Sequence, residues 1–161
     1  MTATKCGVVG LGSMDTSLER QWMRWVLRAA AIYNLVWGAW VILFPLSFFS
    51  LTGMEPINHP SIWQGMGMVI GVYGLGYWWA SYHPIQQWPI ILVGFLGKVF
   101  GPIGFVFNYL QGKVPLEFCY TMPTNDLMWW IPFFLILRAA YRTHRFRWRV
   151  EENQTEENLN Q

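Results

Sequence analysis

Lys98 lies in the middle of "GFLGKVFGPIGF", residues 94–105, where every neighbour is glycine, proline or apolar. An ammonium group at mid-helix in hydrocarbon costs about 2.5–3.5 kcal/mol on insertion scales unless neighbouring helices shield and satisfy it. The position therefore demands a partner. Asp126, in "PTNDLMWWIP", is the best-placed carboxylate. Pro102 follows Lys98 by four residues, and with no amide hydrogen it leaves the Lys98 carbonyl without its helical bond and bends the helix there. A lysine at a kink beside a counter-charge suits a structural ion pair, a ligand-binding site or a proton-linked carrier. Asn34, Gln64, Asn108 and Asn125 supply amides to complete a buried polar cluster, with Glu55 and Glu117 at its entrance.

Other chemistry finds less support. Cys6 and Cys119 are far apart in the chain, which excludes a disulfide framework and a zinc cage. His59, His83 and His144 fall in loops and the tail, so a haem held between helices is not expected either. No metal, cofactor or catalytic residue set is expected, and an enzyme is not the leading expectation. The glycines of "MTATKCGVVGLGS" lack the following helix and acid of a nucleotide-binding loop.

Positioning Lys98 and Asp126 falls to an apolar framework. Of 161 residues, 53% are hydrophobic and only 12% charged, with eleven tryptophans and fifteen glycines. A soluble domain of this size needs more surface charge, whereas indole rings and close-packing glycines suit a bilayer. Crossing about 30 Å of hydrocarbon takes roughly 20 helical residues. Four stretches qualify, at about 25–49, 62–82, 88–110 and 122–141, within a domain spanning 22–143. The fourth has an uninterrupted apolar core only over 127–137 and must recruit its flanks. "SLTGMEPINHPS" and "SYHPIQQ" carry turn chemistry.

Arginine and lysine orient this all-α, four-helix membrane bundle. Lys5, Arg20, Arg24 and Arg28 precede or enter the first span, and Arg138, Arg142, Arg145, Arg147 and Arg149 end the fourth. Both termini are therefore expected to be cytoplasmic. Lys98 is then about 15 Å above Trp88 and Asp126 about 24 Å above Arg142, a mismatch that an extended lysine and kinks at Pro102 and Pro132 reduce. Gly94, Gly97, Gly101 and Gly104 recur every three or four residues and form one stripe for a neighbouring helix.

Residues 1–21 read as a disordered cytoplasmic leader, with Met14 as a candidate start. Residues 144–161 form a cytoplasmic tail, basic and aromatic in "RTHRFRWRV" and acidic and disordered beyond. The expected partners are the lipid bilayer, anionic headgroups along 142–149 and a second copy or membrane partner. Nucleic acid is not expected, because the basic cluster abuts a membrane span.

"YNLVWGAWVILFP", "WQGMGMVIGVYGLGY", "WPIILVGFLGKVFGPIGF" and "NDLMWWIPF" carry a resemblance over roughly residues 33–142. They resemble a family of small bacterial four-span membrane proteins, broadly DoxX-like, whose members are sometimes labelled alkyl hydroperoxide reductase. The resemblance implies a bacterial inner-membrane location and makes Lys98, Pro102, Asn125 and Asp126 part of the family pattern. It implies no activity. A peroxidatic cysteine needs an activated thiolate, and Cys119 in "LEFCYTMP" has neither a basic neighbour nor a resolving cysteine. The leading expectation is a non-enzymatic bundle that assembles with itself or a partner and binds a small lipophilic ligand beside Lys98. The alternatives are an oligomeric small-solute or proton-coupled transporter and a membrane redox component linked to quinone or thiols.

Overall fold

The computed structural model describes the backbone of residues 11–159 and the side chains of residues 21–146. Among the described residues five α-helices follow one another: α1 (Leu11–Leu43), α2 (Ser47–Thr52), α3 (Pro60–Ala80), α4 (Trp88–Leu110) and α5 (Met128–Leu159). A 3₁₀ turn, Leu116–Thr121, and a π-helical turn, Pro123–Leu127, lead into α5. Among the described residues there is no strand. By length and mean hydropathy, Gln21–Leu43 and Trp88–Leu110 are candidate membrane spans.

Local chemistry sets several helix ends. α3 and α4 each carry a proline in the first turn, where the missing N–H had no helical acceptor in any case. α2 closes on Gly53, whose φ of 72° is a left-handed conformation that other residues adopt only under strain. Gly112 turns the chain after α4 in the same way, with φ of 66°.

The first apolar stretch is not one span to residue 49. α1 stops at Leu43 because Pro45 disfavours helical geometry at Phe44. The chain then re-enters a helix at Ser47, whose hydroxyl donates to the Phe44 carbonyl at 2.7 Å. This break turns Phe48 and Phe49 inward instead of leaving them on a helix continuing into solvent. Helical backbone also begins at Leu11, inside the expected disordered leader, and runs on to Leu159 through the expected disordered tail. Glutamate and glutamine are good helix formers, and extending an existing helix is far easier than nucleating one. Residues 1–10, with Lys5 and Cys6, lie outside the described residues.

α1 and α3 pack backbone to backbone. A Cβ on Gly38 would lie 2.6 Å from the Gly67 carbonyl oxygen and 3.0 Å from the Gly71 nitrogen, and one on Gly74 would lie 2.9 Å from the Ala31 oxygen. Glycine is required there because the opposing atoms are main chain and cannot move aside.

Two apolar clusters fill the interior. One joins Met23, Leu27, Ala30 and Ala31 to Tyr77, Ile91, Trp129, Phe133 and Ile136. The other is an aromatic plug of Phe48, Phe49 and Trp63, with Val41 and Phe118 against it. Phe48 stacks on Trp63 at 5.5 Å, and Phe49 meets it edge-on at 5.3 Å. Outward faces are apolar on all four long helices: Val36, Val72, Phe100 and Ile131 are 62–73% exposed. At one end, His144 of α5 approaches the Ile85 carbonyl at 3.4 Å and the Trp88 ring at 6.4 Å, which docks α5 on the turn joining α3 to α4.

Candidate functional site

Lys98 is buried, only 6% exposed, on the face of α4 that also carries Ile91, Gly94 and Pro102. Its side chain reaches the π turn before α5. The ammonium donates to the Asn125 carbonyl at 2.5 Å and lies 5.9 Å from the centroid of the Trp129 ring. A carbonyl dipole and the electron-rich face of an indole thus replace part of the hydration that burial removes. Asp126 is the adjacent residue, but its carboxylate is not the group bonded to the ammonium. It accepts from Asn125 Nδ2 at 3.3 Å and faces Gly101, where a Cβ would lie 3.8 Å from Oδ2. The expected pair is therefore a neighbourhood: ammonium on the backbone of residue 125, carboxylate on the next residue.

The π turn makes this possible. Its wider register takes carbonyls out of α-helical alignment, and two of them accept from side chains. Thr124 accepts from the Trp129 indole at 3.0 Å and Asn125 from Lys98. Pro102 has the expected complementary effect on α4. The Lys98 carbonyl, deprived of its helical donor, accepts from the Trp130 indole N–H at 3.0 Å. One residue of α4 is thereby held to the α5 segment at both its side-chain and main-chain ends.

The site borders the first apolar cluster, which contributes Tyr77 and Trp129 to it. Tyr33 packs on Trp129 at 6.0 Å and donates to the Thr124 hydroxyl at 3.1 Å. Its neighbour Asn34, 3% exposed, lies against Gly74 of α3. One turn along α3, the Tyr77 ring covers Gly94 so closely that a Cβ there would overlap it. Two amide oxygens, Oδ1 of Asn34 on α1 and of Asn125 in the π turn, are buried without a hydrogen-bond partner among the described residues. Buried polar atoms are normally satisfied, so these two acceptors are the exception to explain.

Not every expected residue joins. Gln64 donates to the Ile42 carbonyl at 2.8 Å and ties α3 to the end of α1. Asn108 donates to Gly104 within its own helix at 2.7 Å, the local alternative open to a short amide in apolar surroundings. The glycine stripe divides likewise: Gly94 and Gly101 face Tyr77 and Asp126, while Gly97 and Gly104 face open space. Pro132 lies inside α5, one turn beyond the π segment. Glu55 and Glu117 line a groove of about 600 Å³ together with Phe49 and Phe118 of the aromatic plug, and Lys98 does not line it. Cys119 sits half-buried in the 3₁₀ turn with a free thiol.

Trp129, Trp130, Tyr33 and Tyr77 are site residues that the amino-acid sequence alone did not single out. A signal for Trp130 existed, since Pro102 requires some donor for the Lys98 carbonyl. Among the described residues, no group of three or more histidines, cysteines or carboxylates is arranged to hold a metal ion. Comparison with known proteins finds no matching family model, no matching curated protein and no matching solved structure.

Proposed function

We propose that the chain is an integral membrane protein whose α1, α3, α4 and α5 cross the bilayer, with both termini on the cytoplasmic side of a bacterial inner membrane. The broadly DoxX-like resemblance is kept as part of this reading. Apolar outward faces on all four long helices support it, because surfaces of that extent are unfavourable in water and at home among acyl chains. α3 and α5 score lower than α1 and α4 on mean hydropathy because tryptophan, tyrosine, glycine and arginine replace aliphatic residues.

Within that framework the protein is a non-enzymatic bundle that binds a small lipophilic molecule at the site around Lys98 and assembles with itself or a membrane partner. The observation that carries this reading is the unpartnered, buried amide oxygen of Asn125 next to the buried Lys98 ammonium and the half-buried Asp126 carboxylate, with a second unpartnered amide oxygen on Asn34 of α1. Both are acceptors, so the polar head of the ligand bears a hydroxyl or N–H donor. Native mass spectrometry from mild detergent tests it. A retained small molecule that is lost in the Asn34→Leu variant is expected. A protein that is empty after extraction in several detergents, and takes up no hydroxylated lipophile on reconstitution, would contradict it.

A carrier is the second reading. Lys98 bonds a neutral carbonyl while the carboxylate one residue away bonds an amide, so a proton or solute can shift the ammonium from one to the other. Four helices make a thin-walled pathway, and this reading requires an oligomer. Lys98→Met would then abolish flux in vesicles while leaving the helical content unchanged.

A further inference from the structure

We propose that Arg28, clasped between Trp25 and Trp78, is a binding site for the phosphate of an anionic phospholipid. The guanidinium carbon lies 5.7 Å from the Trp25 ring centroid and 6.0 Å from that of Trp78, so α1 and α3 each supply one wall. Nε is covered and has no hydrogen-bond partner among the described residues. Two indoles within cation–π reach restrain the guanidinium, which lowers the cost of ordering it around a tetrahedral oxyanion. Arg24 stands one turn away on the same face of α1, exposed, and two like charges at that spacing repel until an anion neutralises them.

The level in the bundle selects the ligand. Trp78 is two residues from the end of α3, and the following turn is the one on which His144 of α5 docks. Trp25 and Trp78 are 59% and 41% exposed on the outer surface. Indole rings on an outward face near a helix end belong at the headgroup boundary, where the neighbouring oxyanion is a lipid phosphate. The inference rests on the membrane reading but is independent of the Lys98 site, which lies deeper along α1.

The test uses the full chain in mild detergent mixed with equal amounts of dioleoylphosphatidylglycerol and dioleoylphosphatidylcholine, read by native mass spectrometry. Wild type is expected to retain the anionic lipid in preference. Arg28→Gln should lower that preference about tenfold, equivalent to about 1.4 kcal/mol, whereas Arg142→Gln with Arg145→Gln should keep it. An unchanged preference in Arg28→Gln overturns the proposal. Where that variant does not accumulate, Arg28→Lys reads the same site: a smaller preference supports it, and an unchanged one overturns it. Glycerol phosphate added in excess should not displace the lipid; displacement would mean a soluble phosphate ligand and sink the lipid assignment. Failure of the chain to sediment with membranes after carbonate extraction would instead remove the membrane reading.

Discussion

The indole N–H of Trp130 donates to the carbonyl of Lys98 at 3.0 Å, and that carbonyl is the one from which Pro102 withholds a helical donor. The backbone defect in α4 and the indole on α5 are thus complementary. Away from water an unpaired carbonyl has no other donor to turn to, so such a bond counts for more than its equivalent on a wet surface. Coupling between Trp130 and Pro102 can be measured. Trp130→Phe should destabilise the parent about 1 kcal/mol more than it destabilises Pro102→Ala, in which residue 102 supplies the missing N–H. Equal losses in both backgrounds, measured by denaturant titration in micelles, would show that the bond contributes nothing.

Packing of α1 on α3 gives a second prediction. Gly38→Ala puts a methyl group against main-chain atoms of Gly67 and Gly71 and should cost about 1–3 kcal/mol, because the helices must separate. Gly104→Ala meets nothing within 4 Å and should be neutral or slightly stabilising. Thermal unfolding of the two variants side by side would contradict this packing if their midpoints fell together.

The aromatic plug is the third. Phe49 is 1% exposed and touches Trp63 and Phe118. Phe49→Ala should cost about 3–5 kcal/mol. Pro45→Ala, which allows α1 to continue past Leu43, should weaken the same plug without removing any ring. Exposure of Trp63 to an aqueous quencher would report the loss in both, and unchanged quenching would argue against a plug.

Parts of this arrangement were legible in the residues. α4 coincides with the expected 88–110 span because "WP" opens it and "QGK" closes it, and α3 lies within two residues of its expected limits. The end of the first span was overestimated, since hydropathy continues through "FPLSFF" while Pro45 alone decides the geometry. The sequence pointed Lys98 at Asp126, and in the structure its ammonium bonds the carbonyl of the preceding residue, Asn125. That acceptor was not readable, because residue types reveal carboxylates but not main-chain carbonyls released by a π turn. Gln64 and Asn108 show the same limit: an amide in an apolar stretch must bond something, and the nearest carbonyl of a neighbouring or its own helix satisfied each before the cluster could. Of the glycines spaced along α4, Gly94 faces Tyr77 of α3 and Gly101 faces Asp126 of the π turn, while Gly97 and Gly104 meet nothing within 4 Å.

Charge removal at the site gives the fourth prediction. Lys98→Met deletes the ammonium but leaves the half-buried Asp126 carboxylate without its neighbouring cation, and should be destabilising. Lys98→Met combined with Asp126→Asn should therefore be more stable than Lys98→Met alone. A double variant that loses the sum of both single effects would show that the two groups do not sense one another.

The most direct measurement is a solid-state NMR dipolar recoupling experiment in bilayers, between ¹⁵N at the Lys98 side chain and ¹³C at the asparagine carbonyls. With the ammonium seated on the Asn125 carbonyl, strong dephasing of a lysine side-chain signal is expected, and it should vanish in Lys98→Met. A Lys98 signal with no nearby asparagine carbonyl, and with contacts to acyl-chain or headgroup protons instead, would contradict the account.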